Sequence, residues 1–449
     1  MPPESPSATT LARRIAVLAG PTLAIAVLQS AGQLIETVLA ARQGTLALAG
    51  WALVLPFALL LQQMSAGAMG GGVVSAIARS LGAGRREDAS ALVMHAVMIA
   101  MAIALVFVVA LAGFPRALLG AIGGPEAAAA AAVYSAWLFG AGAIPAWLAN
   151  TLASVLRGGG KHGLAARVTL FAALAQPPVA WLLAEPLGQG LAGLGMAFAL
   201  CQGGAALAMI VVVARGGAGF VPSLRIVPRR ALFGRILAVG AVACAMAGIA
   251  NLTTILVTAQ IAGHGPAAVA AYGISARLEF LMVPLAFGVG SALTALVGRA
   301  VGAGDWATAR RTAWIGGLAA LAVCSSFGLA VGLFPHGFAS FFTDDPAVVA
   351  IAVRALTFIG PAFGGFGLGM ALYFASMGAG RMAWPAAAGM SRIVIAVGGG
   401  ALLSEPLGLG LDGQFFAVAL GITAYGAVVA AAVRPGVWSA RSIVATPVR

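Results

Sequence analysis

Charged residues are scarce in this sequence. Only 8% of its 449 residues are Asp, Glu, Lys or Arg, whereas 61% are hydrophobic. A soluble domain carries about 25% charge, so the composition excludes an ordinary soluble protein. Apolar runs of about 20 residues recur along the whole length, which predicts spanning helices rather than barrel strands. We therefore expect an all-α integral membrane protein.

Cysteine and recognisable catalytic motifs are also few. Cys201, Cys244 and Cys324 fall in apolar runs without a metal-binding spacing, so we interpret them as small core residues. The glycine segments Gly82–Gly84 and Gly158–Gly160 lack the Lys-Ser/Thr spacing of a phosphate loop. No hydrolase triad, metal cluster or nucleotide fingerprint occurs. We predict that the protein is not an enzyme and needs neither a cofactor nor a metal.

The net charge of +13 is explained better by membrane topology than by nucleic-acid binding. Most basic residues lie in short segments between apolar runs, as the positive-inside rule predicts for cytoplasmic loops. With about twelve spans and the N-terminus inside, only Arg42, Arg116 and Arg354 fall outside, and Arg277 falls within a span. We expect a monomeric multi-pass protein of a bacterial-type inner (plasma) membrane, with both termini cytoplasmic.

Three short motifs occur twice in the chain. The pairs are Ala78–Gly84 with Gly298–Gly304, Leu182–Gly188 with Leu402–Gly408, and Gly158–Gly160 with Gly378–Gly380. The offset is 220 each time (299 − 79, 405 − 185 and 378 − 158). Six spans in each repeat would make both halves enter the membrane the same way round. The repeat predicts two six-helix lobes related by a pseudo-twofold axis along the membrane normal, with the substrate path between them.

The same observations predict the domain boundaries. We expect a disordered N-terminal tail, an N-terminal lobe, a basic cytoplasmic linker, a C-terminal lobe and a C-terminal tail. Their predicted ranges are residues 1–12, 13–215, 216–232, 233–435 and 436–449.

A carboxylate lies inside the first apolar run. Gln29, Gln33 and Glu36 are spaced i, i+4 and i+7, which places them on one face of a helix. An acid in a membrane span is costly and by default marks an ion or proton site. We predict Glu36 as the ion-coupling residue, with Gln33 beside it and Gln29 in the substrate cavity. The alternative is a structural acid that reaches toward Arg42.

A second acid lies in the eighth predicted span, residues 267–297. Glu279 and Arg277 are two residues apart, so they point in nearly opposite directions and each needs a partner from another helix. We predict Glu279 as a second ion-coupling residue and Arg277 as a cavity residue. An ion pair that fixes helices in the C-terminal half is the alternative for Glu279.

Isolated polar residues in other spans are further candidates for the substrate cavity. In the seventh span, residues 233–262, Asn251, Thr254 and Thr258 share one helical face. Other spans contribute Asn150, Gln176 and Tyr373. The alternative for these residues is helix packing through hydrogen bonds.

Four features together resemble the multidrug and toxic compound extrusion (MATE) transporters over nearly the whole chain. They are the acid-led stretch Glu36–Gly44, the paired R-x-(L/V)-G-A-G loops, the segment Leu156–Lys161 after the fourth span, and the twofold six-helix layout. The resemblance implies efflux of amphipathic, often cationic compounds, driven by inward flow of H⁺ or Na⁺. It also implies that the first-helix acid, usually Asp and here Glu36, couples the ion.

The sequence departs from the family pattern at two places. The family often has Asn and Asp four apart in the fifth span, where this chain has Gln176 and Ala180. The sodium-linked subgroup has acids in its seventh and tenth spans, and this sequence has none in residues 233–262 or 347–376. The missing acids leave no expected Na⁺ site in the C-terminal half and favour H⁺ over Na⁺ as the driving ion.

We therefore predict a secondary active antiporter. It would export amphipathic, cationic or neutral drug-like compounds in exchange for H⁺ by alternating access. A Na⁺-coupled exporter of the same family is one alternative. A lipid-linked saccharide flippase of the related superfamily is another, but it would need several Arg or Lys in its cavity, and only Arg277 is expected within a span.

Overall fold

The computed structural model describes residues 7–223 and 227–439. Within these ranges the chain forms helices joined by turns and contains no strand. A helix satisfies its own backbone hydrogen bonds, which a segment in lipid requires. The prediction of an all-α membrane protein is confirmed.

Parts of the predicted tails and linker lie outside the described residues, namely 1–6, 224–226 and 440–449. The first helix, α1, is Ala8–Arg42. It therefore begins within the segment 1–12 that was expected to be a tail.

Ten helices in the described ranges are long and apolar enough to cross a membrane. An eleventh span results if Gly124–Ala141 and Ala143–Gly158, which meet at 44°, are one bent span. Helix α1 is not among these, but its 35 residues exceed the roughly 20 that a span needs. The described residues therefore contain ten or eleven candidate spans besides α1, against about twelve predicted spans.

One compact unit is Gly20–Ala241. Besides most of α1, it contains six further helices and the first turns of an eighth. They are α2 (Thr45–Gly82), α3 (Arg86–Gly113), α4 (Pro115–Ser135), α5 (Ala143–Gly158), α6 (His162–Ala184), α7 (Gly190–Ala214) and α8 (Arg230–Ala262).

The other compact unit combines the described residues of Met1–Ala19 and Val242–Arg449. Apart from the start of α1 and most of α8, it contains six helices. They are α9 (Pro266–Gly302), α10 (Trp306–Leu333), α11 (Pro335–Ser340), α12 (Pro346–Ala379), α13 (Ala383–Ser404) and α14 (Gly410–Ala432).

The unit boundary falls inside α8 rather than in the predicted linker, residues 216–232. The first turns of α8 belong to the N-terminal unit because Arg235 forms an ion pair with Asp88 at 2.7 Å. A Cβ atom on Gly72 would lie only 2.8 Å from the backbone nitrogen of Gly240, so the two helices approach closely at this point. The start of α1 belongs to the other unit because Ile15 packs in its hydrophobic core.

Candidate functional site

Glu36 is held inside the N-terminal unit by a tyrosine. The Tyr134 hydroxyl on α4 donates a hydrogen bond to Glu36 Oε1 at 2.8 Å. Tyr134 is 3% exposed, whereas Glu36 itself is half-buried. Trp51 on α2 is also buried, with 5% of its surface exposed. A carboxylate is an acceptor only, and a protonated carboxyl can donate to the same hydroxyl oxygen. The Tyr134 hydroxyl can therefore stay bonded to either form of Glu36.

The alternative role for Glu36, an ion pair with Arg42, is not what the structure shows. Arg42 Nη1 lies 3.4 Å from Glu185 Oε1 instead. Gln33 is exposed, and its backbone oxygen accepts a hydrogen bond from the Thr37 hydroxyl at 2.7 Å. Gln29 is half-buried. Within the described residues, Tyr134 rather than Gln33 or Gln29 provides the hydrogen bond to Glu36.

Asn150 lies in a partly buried polar cluster that joins α5 to α2. Its Nδ2 atom donates to Gln62 Oε1 at 2.9 Å and to Ser65 Oγ at 2.8 Å. The Ser154 hydroxyl donates to the Asn150 carbonyl at 2.8 Å, and Arg157 donates to Ser154 Oγ at 3.0 Å. Ser65 belongs to the π-helical turn Gln63–Ala68 of α2 and Gln62 directly precedes it, and such turns are frequent at functional sites.

Sequence reasoning missed the α2 side of this cluster. A signal was available, because Gln62 and Gln63 form a polar pair inside an otherwise apolar helix. Gln176, on α6 directly before Pro177 and Pro178, is half-buried and is not part of the cluster.

In the C-terminal unit, Glu279 on α9 forms an ion pair with Arg392 on α13. The two side chains are 17% and 13% exposed, and the Arg392 guanidinium carbon also lies 5.7 Å from the Phe366 ring centroid. Arg277 is exposed and does not pair with Glu279, as the spacing predicted. The structure therefore has the ion pair that was the alternative role for Glu279.

The expectation that Arg277 is the only basic residue within a span is wrong because of Arg392. It lies within the span Ala383–Ser404, so Arg277 is not the sole basic residue within a span. The π-helical turn Val394–Gly399 directly follows it. Gln260 Nε2 donates to the Val397 carbonyl of that turn at 3.0 Å, and Gln414 Nε2 donates to Gln260 Oε1 at 2.7 Å.

The other candidates in this unit bond locally. Asn251 Nδ2 donates to the Ala247 carbonyl at 2.9 Å, and Thr254 Oγ1 donates to the Ala250 carbonyl at 3.3 Å. Both acceptors lie one turn earlier on the same helix, so these hydrogen bonds do not join α8 to a neighbour. Tyr373 is buried with its ring edge-on to Phe374, at 5.2 Å between centroids. A role in the substrate cavity stays a prediction for Asn251, Thr254 and Tyr373.

Comparison with known proteins places the chain in a family. The sequence profile of the MatE family matches twice, at residues 21–182 and 241–402. Both ends of the two matches are 220 residues apart (241 − 21 and 402 − 182), which equals the motif offset. A protein of Deinococcus radiodurans, described as a probable multidrug resistance protein NorM, is 30% identical. That alignment covers 95% of this chain and 96% of the relative.

Solved structures share the fold. A MOP superfamily transporter from Pyrococcus furiosus, whose description reports reverse polarity of the binding pocket, has a TM-score of 0.87 at 20% identity, over 95% of this chain and 96% of that one. A mutant of the Vibrio cholerae MATE transporter VcmN has a TM-score of 0.84 at 21% identity, over 97% and 98%. Since the profile matches most of both halves and the NorM relative spans nearly the whole chain, the protein belongs to the MATE family: it is a multi-pass membrane transporter and not an enzyme.

Proposed function

We propose that this MATE transporter is a secondary active antiporter that exchanges H⁺ for amphipathic, cationic or neutral drug-like compounds by alternating access. Glu36 would couple the two flows. The observation that carries this proposal is the hydrogen bond from Tyr134 to Glu36, which directs an acid of α1 into the N-terminal unit.

The coupling follows from the cost of charge in a membrane span. A carboxylate in this setting is costly, and either a proton or a cationic substrate can compensate it. If each lowers the affinity for the other, proton entry is linked to substrate release by one coupling free energy. Because the Tyr134 hydroxyl can bond to both forms of Glu36, the side chain need not move far when it changes its proton.

The ion pair in the C-terminal unit favours H⁺ over Na⁺. A hard cation is bound by several oxygen ligands, whereas a proton needs one titratable group. Arg392 compensates the charge of Glu279, so this acid offers little net negative charge to a metal cation. Ion coupling by Glu279, as the sequence predicted, would require Arg392 to release it. The same pair disfavours the flippase alternative, since Arg392 is bound to Glu279 and is not available to bind the pyrophosphate of a lipid-linked saccharide.

The test is dye efflux from proteoliposomes under an imposed proton gradient and, separately, under an imposed Na⁺ gradient. We expect the proton gradient alone to drive efflux. Glu36→Gln should abolish it, because the amide keeps the shape but cannot titrate. Glu405→Gln, at an exposed acid in a turn of the C-terminal unit, is the matched control and should transport normally.

Two results would contradict the proposal. Efflux that is flat across a proton gradient but rises with external Na⁺ at constant pH would establish the Na⁺-coupled alternative. Full efflux by Glu36→Gln would remove the coupling role from Glu36, whichever ion drives transport.

A further inference from the structure

A groove runs between the C-terminal part of α1 and α6 in the N-terminal unit. Its volume is about 490 Å³. Apart from Arg42 it is lined by apolar side chains, namely Leu34, Ile35, Val38, Leu39, Pro177, Pro178 and Trp181. The proposed coupling at Glu36 uses none of these residues.

The groove has a closed end and a polar end. At the closed end the helices meet, since a Cβ atom on Gly32 would lie 3.8 Å from the Pro177 ring. At the polar end, Arg42 Nη1 lies 3.4 Å from Glu185 Oε1, and the Trp181 indole N–H donates to Glu185 Oε2 at 3.1 Å. From Gly32 to Arg42 the helix rises about 15 Å, which is half of the roughly 30 Å of a bilayer's hydrocarbon core.

The ion pair at the polar end is open to a ligand. The side chain of Arg42 is 62% exposed and that of Glu185 is 28% exposed. Among the described residues, the Arg42 guanidinium donates one hydrogen bond, to Glu185 Oε1. A guanidinium has five N–H donors, so others can bind a ligand. Exposed ion pairs of this kind contribute little to stability, so a ligand with charges of both signs can bind to both partners.

The internal repeat contains a second copy of the turn in which Glu185 lies. Glu185–Gly188 and Glu405–Gly408 form the same turn, in which the Gly188 and Gly408 amides donate to the Glu185 and Glu405 carbonyls at 3.1 and 3.2 Å. The positions equivalent to Arg42 and Trp181 are Ala262 and Ala401 (262 − 42 and 401 − 181 are both 220). The turn therefore forms in the C-terminal unit with alanine at both of these positions.

We propose that this groove binds one phospholipid whose headgroup carries both a phosphate and a primary ammonium group. An acyl chain occupies the apolar groove, the phosphate accepts hydrogen bonds from Arg42, and the ammonium group donates to Glu185. Trp181 lies in the last turn of α6, and tryptophans are enriched at the ends of membrane spans, where the headgroups begin. A headgroup with phosphate alone adds no second cation beside Glu185, and a trimethylated ammonium group has no N–H to donate.

The test is competitive retention of lipids by the full-length protein. The purified transporter is equilibrated with equimolar phosphatidylethanolamine, phosphatidylglycerol and phosphatidylcholine of identical acyl chains, and retained lipids are measured by native mass spectrometry. We expect phosphatidylethanolamine to be enriched on the order of tenfold, as one hydrogen bond to a charged group provides. Arg42→Gln and Glu185→Gln should each remove the enrichment, and Glu405→Gln should keep it.

A second variant tests the groove itself. Val38→Trp places a large side chain in the groove at a position that is 52% exposed, so folding should be unaffected. It should reduce retention of all three lipids. The proposal is overturned if retention follows net lipid charge alone, if the Arg42 and Glu185 variants retain lipids like the parent, or if a cationic dye displaces the lipid and depends on the same two residues.

Discussion

At the scale of single residues, the hydrogen bond from Tyr134 fixes the position of the Glu36 carboxyl group. The chain has only four tyrosines, and this one reaches the acid across 98 residues of sequence. A hydrogen bond between a neutral donor and a carboxylate is charge-assisted and stronger than one between neutral groups. Tyr134 is therefore a positioning residue for Glu36.

Replacing Tyr134 by Phe should slow proton-driven efflux without unfolding the protein. The variant loses a hydrogen bond to a charged group, worth about 1.5–3 kcal/mol, while keeping the ring. Initial rates of dye efflux in proteoliposomes measure the effect, and we expect a reduction of roughly tenfold or more. Tyr425→Phe, at another buried tyrosine that is not a candidate for the substrate cavity, is the matched control and should be close to the parent rate. Equal loss in both variants would mean that the effect is not specific to Glu36.

The residue scale also shows what the sequence can and cannot predict. Glu36 was predictable because an acid inside an apolar run is a local anomaly. Tyr134 was not, because its role depends on how α4 is placed against α1. Arg392 was not expected within a span because its charge was assigned to the inner end of its helix, whereas it lies near the middle of the helix Ala383–Ser404.

At the scale of elements, the ion pair between Glu279 and Arg392 joins α9 to α13. A largely enclosed pair of this kind, with side chains 17% and 13% exposed, costs desolvation of both ions, so breaking it from one side leaves an uncompensated charge. Two further hydrogen bonds hold α13 near Arg392: Gln414 donates to Gln260, and Gln260 donates to the Val397 carbonyl of α13.

A double-mutant cycle separates structural from coupling roles for this pair. Glu279→Met and Arg392→Met should each destabilise the protein by about 3–5 kcal/mol, and the double variant should be more stable than either. Thermal unfolding in detergent measures the effect. If the pair is structural, the double variant keeps proton-driven efflux. Loss of coupled efflux in a folded double variant would instead assign an ion-coupling role to Glu279.

The hydrogen-bonded chain has a separate prediction. Gln260→Leu removes the acceptor of the Gln414 amide, which is 1% exposed, and so leaves a buried donor unsatisfied, which costs about 1–3 kcal/mol. The midpoint of thermal unfolding should fall accordingly. Gln202→Leu, at a half-buried glutamine of α7 outside this chain of bonds, should change the midpoint little. A comparable fall in both variants would contradict the role of Gln260.

At the scale of the whole molecule, the repeat preserves the helices but not their chemistry. At the offset of 220, Glu36 corresponds to Leu256, and Glu279 corresponds to Leu59. Each half has therefore acquired its own acid at a position where the other half is apolar. The layout was predictable because motif spacing survives divergence. The unit boundary inside α8 was not, because a continuous helix gives no break in the sequence at that point.

The orientation in the membrane is a prediction for the whole chain. The positive-inside rule places Lys161 on the cytoplasmic side and the turn Glu405–Gly408 on the opposite side. Lys161→Cys and Leu407→Cys, both at exposed positions, can be introduced after Cys201, Cys244 and Cys324 are replaced by Ala. A membrane-impermeant maleimide should label Leu407→Cys in intact cells and Lys161→Cys only after permeabilisation. The reverse pattern would invert the topology. Labelling of both positions in intact cells would mean that an odd number of spans does not separate them.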